Sequence, residues 1–269
     1  GKEYSDTYYA LKKELNNIES EYSLLDSNSS TFNDDVEKLY VKYVNKANEV
    51  AIESGYGNYL ESVYADTYLR DYEYSETDNF YEYVKRYVYP KFVTIANRIH
   101  ADIDLLFNQE QQLLVLYYEK DCFTNCFKDV KSYVSYMGGT MESAFNNLFK
   151  AGGGYFISYE EKALKGAFTD TFSKSGIPYV YFGGDYKDSF TLVHEFGHYH
   201  AAVINDNELC FDLAETQSQA NELLFLQYLL QNEDFSQKVA GIFEEYKLYD
   251  VYSTIIMSTL VNELEKKVY

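Results

Sequence analysis

Proline is almost absent from this sequence: Pro90 and Pro178 are the only two among 269 residues. Because proline lacks a backbone N–H and breaks the interior of a helix, a chain with so few prolines can form long helices. Residues 34–54 show the matching pattern, since their apolar side chains recur at intervals of three and four. Asp34 and Asp35 stand where an N-terminal cap and a first-turn acid are expected. The sequence therefore predicts a mainly α protein.

Other segments repeat this periodicity, and one stretch departs from it. We predict helices at about 78–88, 91–119, between the glycines at 139 and 152, at 189–200, at 212–231 and from 233 onward. Pro90 is expected to end one helix or to begin the next. Residues from 152 are rich in glycine and include a short β-rich run at 179–182, which predicts a small sheet or hairpin. We expect one region, 1–269, with a helical part (1–151) and a part that combines the sheet with further helices (152–269).

The charge balance excludes several classes of partner. The chain has 23 Lys and Arg against 43 Asp and Glu, a formal net charge of −20. Nucleic acids and anionic membranes attract basic surfaces, so we expect neither as a partner. No stretch approaches the roughly 20 apolar residues that cross a bilayer. Residues 1–17 contain no apolar signal core, which leads us to expect a cytoplasmic protein.

Three of the four histidines lie in one short stretch, TLVHEFGHYH, at residues 191–200. His194 and His198 are one helical turn apart, so both imidazoles project from the same face and can reach one Zn²⁺. Glu195 points too far round the helix to bind the same ion, but it can act on a water molecule beside it. This His-Glu-x-x-His pattern is a zinc metallopeptidase signature, and histidines that merely pack or face solvent are the alternative.

A catalytic zinc ion needs a third protein ligand, and the next predicted helix offers carboxylates at Asp212, Glu215 and Glu222. Glu215 and Glu222 are two turns apart and can face the same neighbour. The apolar residues of this segment predict a largely buried helix: Leu213, Ala214, Ala220, Leu223 and Leu224. A buried carboxylate needs a charge partner, and a metal ion is one such partner.

The stretch FTLVHEFGHYHAA, followed by LAETQSQANE, resembles the thimet oligopeptidase and oligoendopeptidase F family of zinc metallopeptidases. Residues 45–72 and 176–195 are similar to the helical segment and to the strand and loop that precede the zinc helix in that family. The resemblance covers roughly residues 35–265. It implies a mainly α, zincin-like catalytic region, with a small β-sheet before the zinc helix and a deep channel in which short peptides are cut internally.

The resemblance also implies a role for individual residues. His194, His198 and Glu215 would bind one Zn²⁺ per chain, and Glu195 would be the general base. Gln219 and Glu222 would orient the ligands. Because 16 residues separate His198 from Glu215, a short gap for this family, Glu222 stays open as the alternative third ligand. The backbone of Tyr179, Val180, Tyr181 and Phe182 would pair with an extended peptide, whereas His200 receives no metal role.

Members of the family are longer at both ends, and their histidine and tyrosine residues that stabilise the transition state follow well after the third ligand. The resemblance thus implies that this chain corresponds to part of such an enzyme. We expect a zinc-dependent endopeptidase that hydrolyses short peptides. Two alternatives stay open: a zinc hydrolase of another class, and a non-catalytic helical binding module with a vestigial motif.

Overall fold

The computed structural model describes residues 3–106, 122–150, 154–158, 166–170, 178–183, 189–204, 211–232 and 237–269. Its helices are α1 (Asp6–Ser23), α2 (Phe32–Glu53), α3 (Tyr59–Ser62), α4 (Asp78–Tyr83), α5 (Tyr89–Leu106), α6 (Cys122–Met137), α7 (Gly139–Leu148), α8 (Ser189–Ile204), α9 (Phe211–Asn232) and α10 (Gln237–Val268). Its strands are β1 (Tyr155–Ser158), β2 (Gly166–Asp170) and β3 (Tyr179–Gly183). The predicted mainly α fold with a small sheet before the zinc helix is confirmed. No helix in these ranges is both long and apolar enough to cross a membrane.

Helix α2 matches the predicted helix closely, but its N-terminus is built differently. Thr31 is the N-cap residue, and its hydroxyl donates to Asp35 Oδ2 at 2.8 Å. Asp34 therefore lies inside the first turn and is not the cap, although its charge still suits the positive end of the helix. The helix ends at Ser54, and Gly55 follows with a φ of 93°, a conformation that favours glycine.

The chain passes Pro90 without leaving helical structure. A π-helical turn, Val84–Val88, joins α4 to α5, and α5 begins at Tyr89. Pro90 thus lies in the first turn of α5 with helical residues before it, so its missing N–H removes one bond from the helical ladder. One of the two predicted outcomes was that a helix restarts at Pro90, and α5 does begin next to it. The predicted continuation of this helix from 107 to 119 lies outside the described residues.

The chain forms two compact units. The first consists of Gly1–Phe92 with Val251–Tyr269. In it, α1 packs on α2 around Leu15, Ala47 and Val50, and several tyrosines surround this core. Ion pairs tie the separate segments of this unit together: Lys85 Nζ lies 2.7 Å from Glu263 Oε1, and Lys266 Nζ 2.6 Å from Asp78 Oδ1.

The second unit, Val93–Asp250, contains the His-Glu-x-x-His stretch. Its apolar core draws on α6, α7, β3, α8 and α9: Val130, Tyr133, Val134, Ala144, Phe145, Leu148, Val180, Phe182, Leu192, Val193, Phe196, Tyr199, Phe225 and Leu229. Within this unit α8 contacts α6, α7, α9 and β2. Helix α8 is therefore held on several sides, which gives its polar residues fixed positions.

The three strands form one sheet in the order β1–β3–β2. β3 pairs with β1 in parallel and with β2 antiparallel, so that Val180 stands opposite both Tyr155 and Thr169. Val180 and Phe182 are buried in the core, as expected for alternate residues of a strand with one face inward. The sheet brings β2 alongside the zinc-helix candidate α8.

Candidate metal centre

Helix α8 presents two different faces. Leu192, Val193, Phe196 and Tyr199 are buried in the apolar core. His194 and His198 lie on the side that faces α9, with side chains 22% and 17% exposed. The two imidazoles therefore share one helix face, as the spacing predicts, and are partly shielded from water.

Helix α9 approaches α8 very closely at Gly197. A Cβ atom at this glycine would lie 2.8 Å from the Cα atom of Ser218. The side chain of Asn221 reinforces the contact, because its Nδ2 donates to the backbone carbonyl of Val193 at 2.8 Å. Tyr133 of α6 donates in turn to Asn221 Oδ1 at 2.5 Å. A residue without a side chain and a buried hydrogen-bond chain thus set the separation of the two helices.

The face of α9 that is buried differs from the one expected from its leucines. Leu213, Leu223 and Leu224 are exposed, whereas Ser218, Asn221 and Glu222 are buried. The prediction was wrong because it weighed apolar residues alone. The polar residues point inward since α8 offers them partners: a backbone carbonyl for Asn221 and an imidazole for Glu222.

Three side-chain atoms converge between α8 and α9. His194 Nε2 lies 3.2 Å from His198 Nε2 and 3.2 Å from Glu215 Oε2, and His198 Nε2 lies 3.5 Å from the same oxygen. Donors at zinc bond lengths of about 2.0–2.2 Å and tetrahedral angles are about 3.4 Å apart. The three atoms therefore form a nearly equilateral triangle of the size that one Zn²⁺ requires, and the donor set of two imidazoles and one carboxylate is one that zinc prefers.

Glu222 lies on the other side of the His194 ring. Its Oε1 is 2.7 Å from His194 Nδ1, so in a neutral ring it would hold the proton on Nδ1 and leave the lone pair of Nε2 for a metal ion. Its other oxygen, Oε2, accepts a hydrogen bond from Lys247 of α10. Both oxygens of Glu222 have partners away from the triangle, which favours Glu215 over Glu222 as the third ligand.

Charges around His194 alter several pKa values in the metal-free chain. Burial lowers the pKa of His194, but its hydrogen bonds to Glu215 and Glu222 outweigh this effect and raise it to about 9. The hydrogen bonds from His194 and His198 hold the pKa of Glu215 far below its usual range. For Glu222, burial opposes ionisation, yet His194 and Lys247 bring its pKa below the ordinary value. The carboxylates are thus ionised at neutral pH and suited to a cation.

Glu195 is buried on α8 beside the triangle, and its carboxylate turns towards β2. The hydroxyl of Thr169 lies 2.8 Å from Glu195 Oε2 and 2.8 Å from the backbone carbonyl of the same residue. Burial raises the pKa of Glu195, while the Thr169 hydrogen bond and the two imidazoles oppose the rise. A carboxylate with a raised pKa can accept and return a proton more readily near neutral pH.

The structure also places the remaining predicted site residues, and not all of them match the role predicted for them. Gln219 is half-buried on α9, between Ser218 and Ala220. Tyr179, Val180, Tyr181 and Phe182 belong to β3, the central strand, whose backbone pairs with β1 on one side and β2 on the other. The expectation that this strand pairs with a peptide does not fit the sheet, because its hydrogen-bonding edges are used. His200 lies away from the triangle, with Nε2 3.0 Å from Thr140 Oγ1.

Sequence reasoning missed Thr169, Tyr133, Asn221 and Lys247. Thr169 sits in an ordinary strand pattern, and Tyr133 is one of 31 tyrosines. Lys247 is 25 residues from Glu222. Nothing in the local sequence of Thr169, Tyr133 or Lys247 separates them from residues without such contacts. Only Asn221 carried a signal, since it lies one turn after Ser218 on the same helix face.

The chain combines a mainly helical architecture and a small sheet with a histidine-carboxylate centre between α8 and α9. Two solved structures share its fold. A structure of PZ peptidase A with an inhibitor matches 94% of this chain with a TM-score of 0.70 at 15% identity. A crystal structure under the name oligoendopeptidase F matches 99% of this chain with a TM-score of 0.76 at 16% identity.

These matches confirm, at the level of the fold, the resemblance drawn from the zinc-helix motif. The chain spans about half of each matched structure, 53% and 55% of their respective lengths. No family model and no curated protein matches the sequence.

Proposed function

We propose that this chain is the catalytic region of a zinc-dependent endopeptidase that hydrolyses short peptides. The triangle formed by His194 Nε2, His198 Nε2 and Glu215 Oε2 carries this proposal, because all three of its sides suit one tetrahedral ion. The peptidase neighbours support the reaction class. One Zn²⁺ held there would supply a Lewis acid that polarises a peptide carbonyl and makes a water molecule more acidic.

The chain's own residues would carry out the proton transfers. Glu195 accepts a proton from the water that attacks the scissile carbonyl and delivers it to the departing amine. The Thr169 hydroxyl donates to Glu195 Oε2, so the carboxylate keeps one orientation through both proton transfers. Glu222 keeps the His194 ring oriented by accepting from Nδ1. Peptide hydrolysis thus requires no acid or base beyond Glu195 among the described residues.

Edge strand β2 is a better candidate for peptide pairing than β3. β2 pairs only with β3, and no second strand lies along its other edge in the described part of the chain. Thr169 of this strand contacts Glu195, so an extended peptide that pairs with β2 would run beside the general base. This arrangement replaces the pairing first expected at Tyr179, Val180, Tyr181 and Phe182.

The test combines metal content with peptide cleavage. We expect about one zinc per chain and internal cleavage of short quenched peptides. Glu195→Gln should keep the zinc and lose turnover, because the amide cannot accept the proton. Glu215→Ala should lose zinc, and Glu142→Ala, at a half-buried glutamate of α7 that accepts a hydrogen bond from Ser135, serves as the matched control. A Glu195→Gln chain that cleaves as fast as the parent would disprove the assigned role.

Two other functions predict different results. A zinc hydrolase of another class would bind zinc but would release terminal residues or attack proteins instead of cutting short peptides internally. A non-catalytic binding module would contain no zinc. The cleavage pattern and the metal content therefore separate all three.

A further inference from the structure

Lys247 is a cation in an unusually enclosed position on α10. Its side chain is only 16% exposed, and Nζ lies 5.5 Å from the centre of the Phe190 ring on α8. Nζ donates to Glu222 Oε2 and, at 2.9 Å, to Asp250 Oδ2. Lysine is seldom buried unless it is paired, so this position points to a specific role for the pair with Glu222.

Glu222 connects this lysine to a candidate metal ligand. Its side chain is 11% exposed, with Oε1 on His194 Nδ1 and Oε2 on Lys247. Three consecutive helices thus contribute one group each to the chain Lys247–Glu222–His194. Without Lys247, Glu222 would be an enclosed carboxylate with one free oxygen, able to rotate away from Nδ1 or to turn towards the cation site.

We propose that Lys247 is a positioning residue: it holds Glu222 on His194 Nδ1 so that Nε2 of the same ring stays directed at the metal. This inference rests on the proposed function, since it assumes that a metal binds at the triangle. It also explains how two glutamates on one helix face take different roles. Lys247 holds Glu222 away from the ion, whereas Glu215 directs Oε2 towards the two imidazoles.

Charge repulsion and positioning predict opposite changes in zinc affinity when Lys247 is replaced. A lysine ammonium near a dication repels it, so removal of the charge alone would tighten zinc binding. Loss of positioning would weaken it, because partners that orient a ligating histidine are worth roughly 10- to 100-fold in metal affinity. The direction of the change in zinc affinity therefore decides between charge repulsion and positioning.

The test is the zinc Kd of the full chain, measured by competition with a chromophoric chelator in the absence of peptide. We expect Lys247→Met to raise the Kd by roughly 10-fold, the lower end of that range, because it acts through a second residue. Lys247→Arg should restore most of the affinity. Asp250→Asn, which removes only the exposed partner of Lys247, is the matched control and should leave the Kd unchanged.

A double-mutant cycle excludes a purely structural role. In a Glu222→Gln chain, Lys247→Met should cause no further loss of zinc affinity, because its effect passes through Glu222. The visible spectrum of the Co²⁺-substituted chain should change in Lys247→Met and not in Asp250→Asn. Thermal unfolding of each metal-free variant checks that it folds. If Lys247→Met does not fold, Glu222→Gln alone tests the inference, because it removes the carboxylate through which Lys247 acts and should also raise the zinc Kd.

The inference is overturned if Lys247→Met binds zinc as tightly as the parent or more tightly. It is also overturned if the effects of Lys247→Met and Glu222→Gln on the free energy of zinc binding are fully additive. Its failure differs from that of the proposed function. A parent chain that binds zinc but cleaves no peptide disproves the peptidase and leaves the role of Lys247 to the affinity data. A parent chain that binds no zinc overturns both.

Discussion

Replacement of Gly197 by alanine tests whether the close contact between α8 and α9 shapes the metal site. The added Cβ would meet Ser218 Cα at 2.8 Å and Ser218 N at 3.4 Å. Ordinary carbon–carbon contacts are about 3.5–4.0 Å, so the helices would have to separate by roughly 0.7 Å or more. Backbone atoms form the obstacle, and a side-chain rotation cannot relieve it.

The expected effect on stability has two parts. Alanine in place of glycine inside a helix stabilises by about 1 kcal/mol, whereas overpacking of a close contact costs about 1–3 kcal/mol. Gly241→Ala is the matched control, because its Cβ meets nothing within 4 Å and it also lies inside a helix. The propensity term cancels between the two variants. We therefore expect Gly197→Ala to be about 1–3 kcal/mol less stable than Gly241→Ala in urea unfolding.

The same separation should weaken metal binding, because His194 and His198 lie on one helix and Glu215 on the other. The two distances across this interface are 3.2 and 3.5 Å, so a shift of roughly 0.7 Å opens the triangle noticeably. We expect the zinc Kd to rise by roughly 10-fold or more in Gly197→Ala and not in Gly241→Ala. Equal stabilisation of both variants, with unchanged zinc affinity, would refute the reasoning.

Three further predictions concern the neighbours of the triangle. The pKa of His194 is raised from 6.5 to about 9, so its protonated ring stabilises the metal-free chain fully below pH 6.5 and loses this effect as the pH rises through 9. The free energy of unfolding in urea should therefore fall by about 3 kcal/mol at most between pH 6.5 and pH 9.5. This fall should be absent in His194→Gln. Thr169→Val should lower kcat by roughly 10-fold with zinc affinity unchanged, and Thr169→Ser should restore it; an unchanged kcat would show that Glu195 needs no such support. Tyr133→Phe leaves buried Asn221 Oδ1 without its donor and should lower the free energy of unfolding by about 1–3 kcal/mol, while a change at exposed Tyr136 should not.

Local patterns in the sequence predicted most of the helices and the pairing of the two histidines. The apolar repeat of residues 34–54 placed α2 within two residues at its N-terminus and one at its C-terminus, because that repeat directly records which face is buried. The spacing of His194 and His198 needed only the helical period. The run at 179–182 likewise became β3.

Local sequence patterns did not predict the features that depend on contacts between distant parts of the chain. The neighbours of a strand are set by pairing across the sheet, so β3 could not be recognised as central from its own residues. The leucines of α9 suggested burial, yet the polar face turned inward because α8 supplies a backbone carbonyl and an imidazole. Lys247 illustrates the same limit, since its role follows from a contact with a helix that precedes it in the chain.

The order of segments in the two compact units has a consequence for how the chain acquires its structure. Residues 93–250 form one uninterrupted unit, whereas the other unit combines 1–92 with 251–269. During synthesis, every residue of the uninterrupted unit is added to the chain before 251–269. The contacts among His194, His198 and Glu215 can therefore form while the other unit still lacks a segment. Metal uptake by a nascent chain would then precede the completion of the unit that joins 1–92 with 251–269.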